Sequence, residues 1–152
     1  YGPRMGLSHV IPELMKKVVD AGNEMIDVYS VDHKRTFCYI KDAVSMIKKL
    51  TESKDSVGKI FNIGNPNNEL SIKQLAEMMV DNFNKMMPKP YEGKIISKDE
   101  SEFFGKGYED VPSRVPDITE AEKELSWSPR YNVADSIYNT MEIYLKEEGY
   151  LP

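Results

Sequence analysis

An amphipathic segment in the middle of the chain constrains the fold more than any other feature of the sequence. From Ser71 onward, apolar residues recur at every third or fourth position until Pro88 and Pro90 end the run. This spacing predicts an α-helix with one apolar face, capped by Ser71. Because such a face must be buried, the chain has to build a core around this helix. The stripe consists of Ile72, Leu75, Ala76, Met79, Val80, Phe83 and Met87.

Other segments show the same helical spacing, and their ends carry recognisable start and stop residues. Ser8 stands where an N-cap is expected, and Gly22 where that helix would stop. Thr119 and Glu122 have the spacing of a capping box, and Asn132 can cap the last helix. The helices predicted in this way cover residues 8–20, about 41–52, 119–125 and a C-terminal stretch after Asn132.

Short runs rich in β-branched and aromatic residues predict strands. Residues 25–29 and 35–40 flank a polar loop at 30–34, residues 94–97 form an edge strand, and residues 59–64 are an apolar run closed by turn residues. The strands are few, and no G-x-x-G-x-x-G follows a first strand. We therefore expect an α+β lobe that needs a partner lobe, with one strand–helix unit belonging to the partner's sheet.

Charge and cysteine content exclude several classes of function. With 25 acidic and 20 basic residues, the net charge is −5, which argues against nucleic-acid binding because that needs a basic footprint. The one cysteine, Cys38, excludes an internal disulfide and a multi-cysteine metal site, and its apolar neighbours predict a buried thiol. The two histidines, His9 and His33, are too few to suggest a metal site. No apolar stretch approaches the ~20 residues of a membrane span, so membrane insertion is not expected.

Two arginines are candidates for phosphate recognition. Arg35 precedes an apolar strand, and Arg114 lies in a proline-stiffened segment between residues 108 and 117. A guanidinium on a rigid segment suits bidentate binding of phosphate oxygens. Salt bridges to nearby carboxylates are the alternative for both residues. His33 either faces a ligand or is a solvated loop residue. No general base or nucleophile is identified by its setting in the sequence. The carboxylates near the arginines are Asp32, Asp42, Asp110 and Asp117.

Four motifs in order resemble the extended short-chain dehydrogenases, a family of sugar-nucleotide epimerases, dehydratases and decarboxylases. Residues 1–4 are similar to its Y/F-G-P-R, and residues 35–42 to its R-x-F-x-Y-V-x-D. Residues 61–65, followed by Ser71 and Ile72, are similar to F-N-I-G-N and its S-I. Residues 114–129 match R-x-P-D-I-x-x-A-x-x-x-L-x-W-x-P. Residues 104–114 resemble most closely the UDP-glucuronic acid decarboxylase domain of the aminoarabinose–lipid A pathway.

The resemblance implies an α/β protein, the C-terminal portion of a Rossmann-type enzyme. Residues 1–152 would form mainly its small α+β substrate-binding lobe, without the N-terminal lobe that binds NAD and carries the catalytic tyrosine and lysine. It further implies a cytoplasmic enzyme, a homodimer when full-length. The reaction would be that of a lyase or an isomerase on a nucleotide-diphosphate sugar, and this chain alone would be inactive.

The same resemblance assigns roles to individual residues. Arg35 and Arg114 would bind the diphosphate, and Arg114 would also assist proton transfer at the sugar. Tyr108 would lie near the phosphates or the nucleotide. The segment from Ile26 to His33, which includes Val28 and Tyr29, would lie beside the base. Many relatives have Gly-x-Gly before the arginine where this chain has Ser-Val-Asp-His-Lys, so the choice among UDP, GDP and dTDP stays open.

Three functions remain open on these grounds. The first is an NAD-dependent enzyme acting as a UDP-glucuronate decarboxylase, with a 4-epimerase or 4,6-dehydratase as near alternatives. The second is a non-catalytic module that binds nucleotide diphosphates. The third is a structural helical adaptor without any ligand.

Overall fold

The structure, a computed structural model, describes residues 1–22, 24–99, 105 and 111–152. The chain is a mixture of helices and short strands, as the sequence predicts. The elements are α1 Val10–Asp20, β1 Ile26–Tyr29, β2 Lys34–Thr36, α2 Ile40–Glu52, a 3₁₀ turn Lys54–Ser56, β3 Glu69–Ser71, α3 Ile72–Met86, β4 Ile95–Lys98, β5 Ser113–Arg114, α4 Thr119–Leu125 and α5 Val133–Glu147.

The strands described here form two small sheets. Strand β1 pairs with β4 in parallel, with Ile26 beside Ile95. Strand β2 lies between β3 and β5, antiparallel to the first and parallel to the second. The two strands predicted around the loop at 30–34 therefore belong to different sheets. The second one is also shorter than predicted: it ends at Thr36, because Phe37 turns to exchange hydrogen bonds with Asn68.

Two of the four predicted N-terminal helix caps are present in the structure. Ser71 accepts a bond from the Gln74 N–H and completes a capping box, and Asn132 accepts one from the Asp135 N–H, as predicted. The predictions for Ser8 and Thr119 are wrong. Helix α1 begins after His9, so Ser8 lies outside it. Thr119 is itself helical, and its N–H is taken by the Asp117 carboxylate at 2.9 Å.

Two apolar cores hold the elements together. In the larger core the apolar face of α3 packs against α1, α5 and β1, which confirms the central position predicted for this helix. The smaller core lies between α2 and α4, around the buried Trp127. Its buried members are Met46, Ile118, Ala121, Leu125 and Trp127. None of the described helices is both long enough and apolar enough to span a lipid bilayer.

A buried asparagine joins the two halves of the described chain. Asn68 donates to the carbonyl oxygens of Phe37 at 3.1 Å and Tyr131 at 2.9 Å, and it accepts the Val133 N–H at 3.1 Å. All three bonds cross more than 30 residues of sequence. The loop before β3, the end of β2 and the start of α5 are therefore fixed to one another by a single side chain.

Candidate functional site

A cavity of about 520 Å³ lies where the end of β1, the following loop and β2 face helix α1. Four of the six predicted site residues line it: Val28, Tyr29, His33 and Arg35. Its other walls are largely apolar, which suits the flat faces of a base or sugar rather than a fully ionic ligand. The remaining lining residues are Leu7, Ser8, Val10, Glu13, Leu14, Lys17, Ser30 and Ile72.

The loop that closes the cavity keeps a glycine-like backbone without a glycine. Ser30 has a φ of 51°, in the left-handed region that L-residues seldom adopt. The His33 N–H donates to the Ser30 carbonyl at 2.9 Å and closes the turn. The substitution of Gly-x-Gly in this loop therefore changes its side chains, whereas the first residue keeps a backbone conformation that glycine favours.

Arg35 is held by backbone carbonyl groups from two segments. Its Nη1 donates to the Lys34 oxygen at 2.7 Å and to the Val111 oxygen at 2.8 Å. These bonds fix the guanidinium at the cavity wall. They also tie β2 to the segment that leads into β5. A guanidinium restrained in this way loses less conformational entropy when it binds an anion.

Two of the carboxylates considered as alternative partners of the arginines bind backbone groups instead. Asp42 is buried and accepts the N–H groups of Arg130 at 2.8 Å and Tyr131 at 3.2 Å. The Asp117 carboxylate accepts the Thr119 N–H, and hydrogen bonds from the Thr119 side chain and backbone hold the pKa of Asp117 below its usual value.

Arg114 is the strand neighbour of Arg35, but it lines a different depression. The register of β2 and β5 places Arg35 beside Arg114, while Arg114 itself is exposed. Thr36 donates through Oγ1 to the Arg114 carbonyl at 3.2 Å. The second depression has a volume of about 550 Å³. It is lined by Thr36, Cys38, Ile63, Gly64, Ser113, Arg114, Val115 and Pro116.

A glycine sets the position of the segment that carries Arg114. Gly64 is buried, and a Cβ on it would lie 2.4 Å from Cγ of Pro116. The Pro116 ring can pack this closely on the Gly64 backbone only because Gly64 has no side chain. The path of the chain after Arg114 therefore depends on this contact.

Sequence reasoning missed Lys17 and Glu13, which line the cavity from helix α1. Lys17 Nζ pairs with Glu13 at 2.7 Å and donates to the Asp27 carbonyl at 2.9 Å. It also lies 5.6 Å from the ring centroid of Tyr29, within the range of a cation–π contact. Their i, i+4 spacing on the polar side of α1 was visible in the sequence. The contact of Lys17 with Tyr29 could not be seen in the sequence, because Tyr29 belongs to another element.

The two other residues with a sequence-based expectation are Tyr108 and Cys38. Tyr108 lies outside the described residues. Cys38 was expected to be buried but is half-buried at the depression of Arg114. Desolvation raises the pKa of its thiol, so the reactive thiolate is disfavoured at neutral pH. Within the described ranges, no group of three or more His, Cys, Asp or Glu side chains could hold a metal ion.

Comparison with known proteins places the chain in a family. The family model of GDP-mannose 4,6 dehydratase matches residues 1–140. The chain belongs to this family. Its members are extended short-chain dehydrogenases that act as nucleotide-sugar epimerases and dehydratases, so the family resemblance of the four ordered motifs is confirmed.

The curated relatives are considerably longer than this member of the GDP-mannose 4,6 dehydratase family. UDP-D-apiose/UDP-D-xylose synthase 2 of Arabidopsis thaliana is 37% identical over 127 residues, which are 82% of this chain and 30% of the relative. The synthase of Oryza sativa subsp. japonica matches with the same identity and coverage. The chain thus spans less than a third of the length of these relatives.

Solved structures confirm the predicted fold class, a portion of a Rossmann-type extended short-chain dehydrogenase. PbgP3 from Burkholderia pseudomallei is 27% identical, with a TM-score of 0.71 over 89% of this chain and 38% of that protein. A UDP-glucuronic acid 4-epimerase from Bacillus cereus, solved with UDP-glucuronic acid and NAD, is 18% identical. Its TM-score is 0.78, over 97% of this chain and 43% of the epimerase.

Proposed function

We propose that residues 1–152 form the substrate-binding lobe of an NAD-dependent enzyme and bind the nucleotide-diphosphate part of a nucleotide sugar. The observation that carries the proposal is the cavity that Val28, Tyr29, His33 and Arg35 share. Its apolar walls can receive a base and ribose, and Arg35 supplies a restrained cation for a phosphate. Arg114 on the adjacent strand is then the second cation along the diphosphate.

The reaction we propose is decarboxylation of UDP-glucuronate. The two plant relatives are named for UDP-D-apiose and UDP-D-xylose, and UDP-D-xylose is UDP-D-glucuronate without its carboxylate. Loss of that carboxylate as CO₂ breaks the bond between C5 and the carboxylate carbon C6 and leaves a C5–H bond, and the proton comes from an acid in the site. Arg114 is the residue of this chain that we propose to assist that proton transfer.

A 4,6-dehydratase or a 4-epimerase is the second candidate function. The family model is described as a dehydratase, and the Bacillus cereus relative of similar fold is an epimerase. All three reactions need the same diphosphate anchoring, so the cavity is compatible with each of them. Only the products distinguish the three enzymes.

The described residues do not fit NAD. They contain no glycine-rich turn between a strand and a helix of the kind that holds a dinucleotide, and their sheets have only two and three strands. We therefore expect NAD to bind in the remainder of the full-length protein, and no step of the reaction is assigned to this cofactor on this chain. The role proposed for these residues is to orient the sugar nucleotide.

The decisive experiment is product analysis by mass spectrometry with the full-length protein, NAD and UDP-glucuronate. A nucleotide sugar that has lost one CO₂ supports the decarboxylase. An isomer of unchanged mass supports the epimerase. With UDP-glucose, GDP-mannose and dTDP-glucose tested in parallel, loss of one water supports the dehydratase. Binding of UDP without any turnover would leave the non-catalytic module, and no binding of any nucleotide would favour the structural adaptor.

A further inference from the structure

An ion pair on helix α1 forms one wall of the proposed substrate cavity. Glu13 and Lys17 lie one turn apart, with Glu13 Oε1 2.7 Å from Lys17 Nζ. Lys17 also donates to the Asp27 carbonyl at 2.9 Å and lies 5.6 Å from the centroid of the Tyr29 ring. Contacts to both α1 and β1 therefore fix the ammonium group, and the ammonium group in turn orients the carboxylate.

Glu13 keeps hydrogen-bonding capacity for a ligand. A carboxylate has two oxygens, and the second oxygen of Glu13 has no donor among the described residues. The Glu13 side chain is 46% exposed and lines the cavity, so a ligand in the cavity can reach it. An ionised carboxylate only accepts hydrogen bonds and repels phosphate. The part of the ligand beside Glu13 must therefore be neutral and must carry O–H or N–H groups.

Burial along the cavity separates the places of the base, the ribose and the phosphate. The floor is formed by Leu14, Val28 and Ile72, each of which is at most 8% exposed. Such a buried apolar floor suits the flat face of a base. Arg35 on β2 is restrained for the phosphate. The ribose connects these two parts, and its hydroxyl groups are the donors left for the half-exposed rim where Glu13 lies.

We propose that Glu13, oriented by Lys17, accepts a hydrogen bond from the ribose 2′-hydroxyl and so selects ribonucleotide over 2′-deoxyribonucleotide sugars. This inference rests on the proposed function, because it assumes the same ligand in the same cavity. Carboxylates bind ribose hydroxyls in the same manner in dinucleotide sites. A site that binds a hydroxyl rejects the analogue without it, since the acceptor loses its donor. Of UDP, GDP and dTDP, the selection excludes dTDP.

Calorimetric titration of the full-length protein with UDP and with 2′-deoxyUDP tests the proposal. The wild type should bind UDP at least about 10-fold more tightly than 2′-deoxyUDP, as expected for a hydrogen bond to a charged group. Glu13→Ala should weaken the binding of UDP by a similar factor and leave that of 2′-deoxyUDP nearly unchanged. Glu13 is half exposed on a helix, where alanine is favourable, so this variant should fold.

Asp20→Ala is the matched control for this substitution. Asp20 pairs with Lys16 at the same i, i+4 spacing on α1, but it does not line the cavity, so the wild-type ratio of the two Kd values should persist. Equal Kd values in the wild type would overturn the inference and leave the proposed function standing. The same holds for a loss in Glu13→Ala that is equal for both nucleotides. Absence of nucleotide binding in the wild type would instead contradict the proposed function, and the inference with it.

Discussion

Arg35 and Arg114 are direct neighbours across the parallel strands β2 and β5, although they lie far apart in the sequence. The next residue of β2, Thr36, donates a hydrogen bond to the Arg114 carbonyl, 78 residues along the chain. Adjacent strands lie about 4.8 Å apart, so the backbones of the two arginines are close neighbours in a small sheet, while their side chains line two adjoining depressions. Two arginines at neighbouring strand positions can both contact one anion that carries more than one negative charge. A diphosphate is the anion that we propose for this pair of arginines.

Alanine substitution of either arginine should therefore weaken nucleotide binding. We expect Arg35→Ala and Arg114→Ala each to cost about 1.5–3 kcal/mol of binding free energy, the range for hydrogen bonds to charged groups. Isothermal titration calorimetry of the full-length protein with UDP measures this loss. Arg130→Ala is the control, because Arg130 is exposed on another face and lines neither depression. An unchanged Kd in both substituted proteins would remove the diphosphate role.

The double substitution should show that the two arginines act on one ligand. Residues that share a partner give non-additive free energies, whereas distant independent sites give additive ones. We expect the loss for Arg35→Ala with Arg114→Ala to differ from the sum of the single losses by at least about 0.5 kcal/mol. Strict additivity would mean that the two side chains bind separate groups.

Asn68 should be among the residues most sensitive to substitution for stability. Asn68→Ala leaves two carbonyl groups and one N–H without their partner, and each buried unsatisfied group costs about 1–3 kcal/mol. We expect a loss of roughly 3 kcal/mol or more in the free energy of unfolding. Urea titration followed by the fluorescence of Trp127, the one tryptophan, measures it. The exposed neighbour serves as control: Asn67→Ala should stay within about 0.5 kcal/mol.

Ser126→Gly should stabilise the chain. Ser126 ends helix α4 with a φ of 48°, and an L-residue in this left-handed conformation is disfavoured by about 1 kcal/mol relative to glycine. The bond from Lys49 Nζ to the Ser126 carbonyl does not depend on the side chain and should persist. The same urea titration measures the gain. Ser128→Gly should not raise stability, because Ser128 has no positive φ.

The stability of the chain should fall at alkaline pH in a way that depends on Tyr1. Its hydroxyl bonds Ser136, and burial raises the pKa of Tyr1 from 10 to about 12. The folded state thus holds this proton more strongly than the unfolded state. Its contribution is complete below pH 10 and is lost as the pH rises from 10 to 12. Tyr1→Phe should flatten this part of the profile of unfolding free energy against pH. Tyr138→Phe, at an exposed position, should leave it unchanged.

The parts of the fold that depend on neighbouring residues could be predicted from the sequence. The caps at Ser71 and Asn132 and the position of α3 are of this kind, because their bonds or periodicities span a few residues. Pairing between strands is different. Strand β1 pairs with β4 almost 70 residues later, and no local signal specifies that partner. The prediction of Ser8 and Thr119 as caps was wrong because serine and threonine fit several turn positions equally well.

The residues of the candidate site differ in the same way in how far the sequence could predict them. Val28, Tyr29, His33 and Arg35 are close in sequence, and they share one cavity. Lys17 reaches that cavity from α1, and only the packing of the helix on β1 brings it near Tyr29. Arg114 was identified from the sequence, but its place beside Arg35 depends on the pairing of β5 with β2. Tertiary structure therefore supplied the residues on the far walls, and the sequence supplied the near ones.

The contact between Gly64 and Pro116 provides a simple means of classifying related sequences. A side chain at this position cannot coexist with the observed path after Arg114, because its first carbon would overlap the proline ring. A homologue that keeps the proline but has another residue at the glycine position must therefore shift the segment after its second arginine. Reading these two columns of an alignment would separate proteins that can share the observed path after Arg114 from those that cannot, before any of their structures are known.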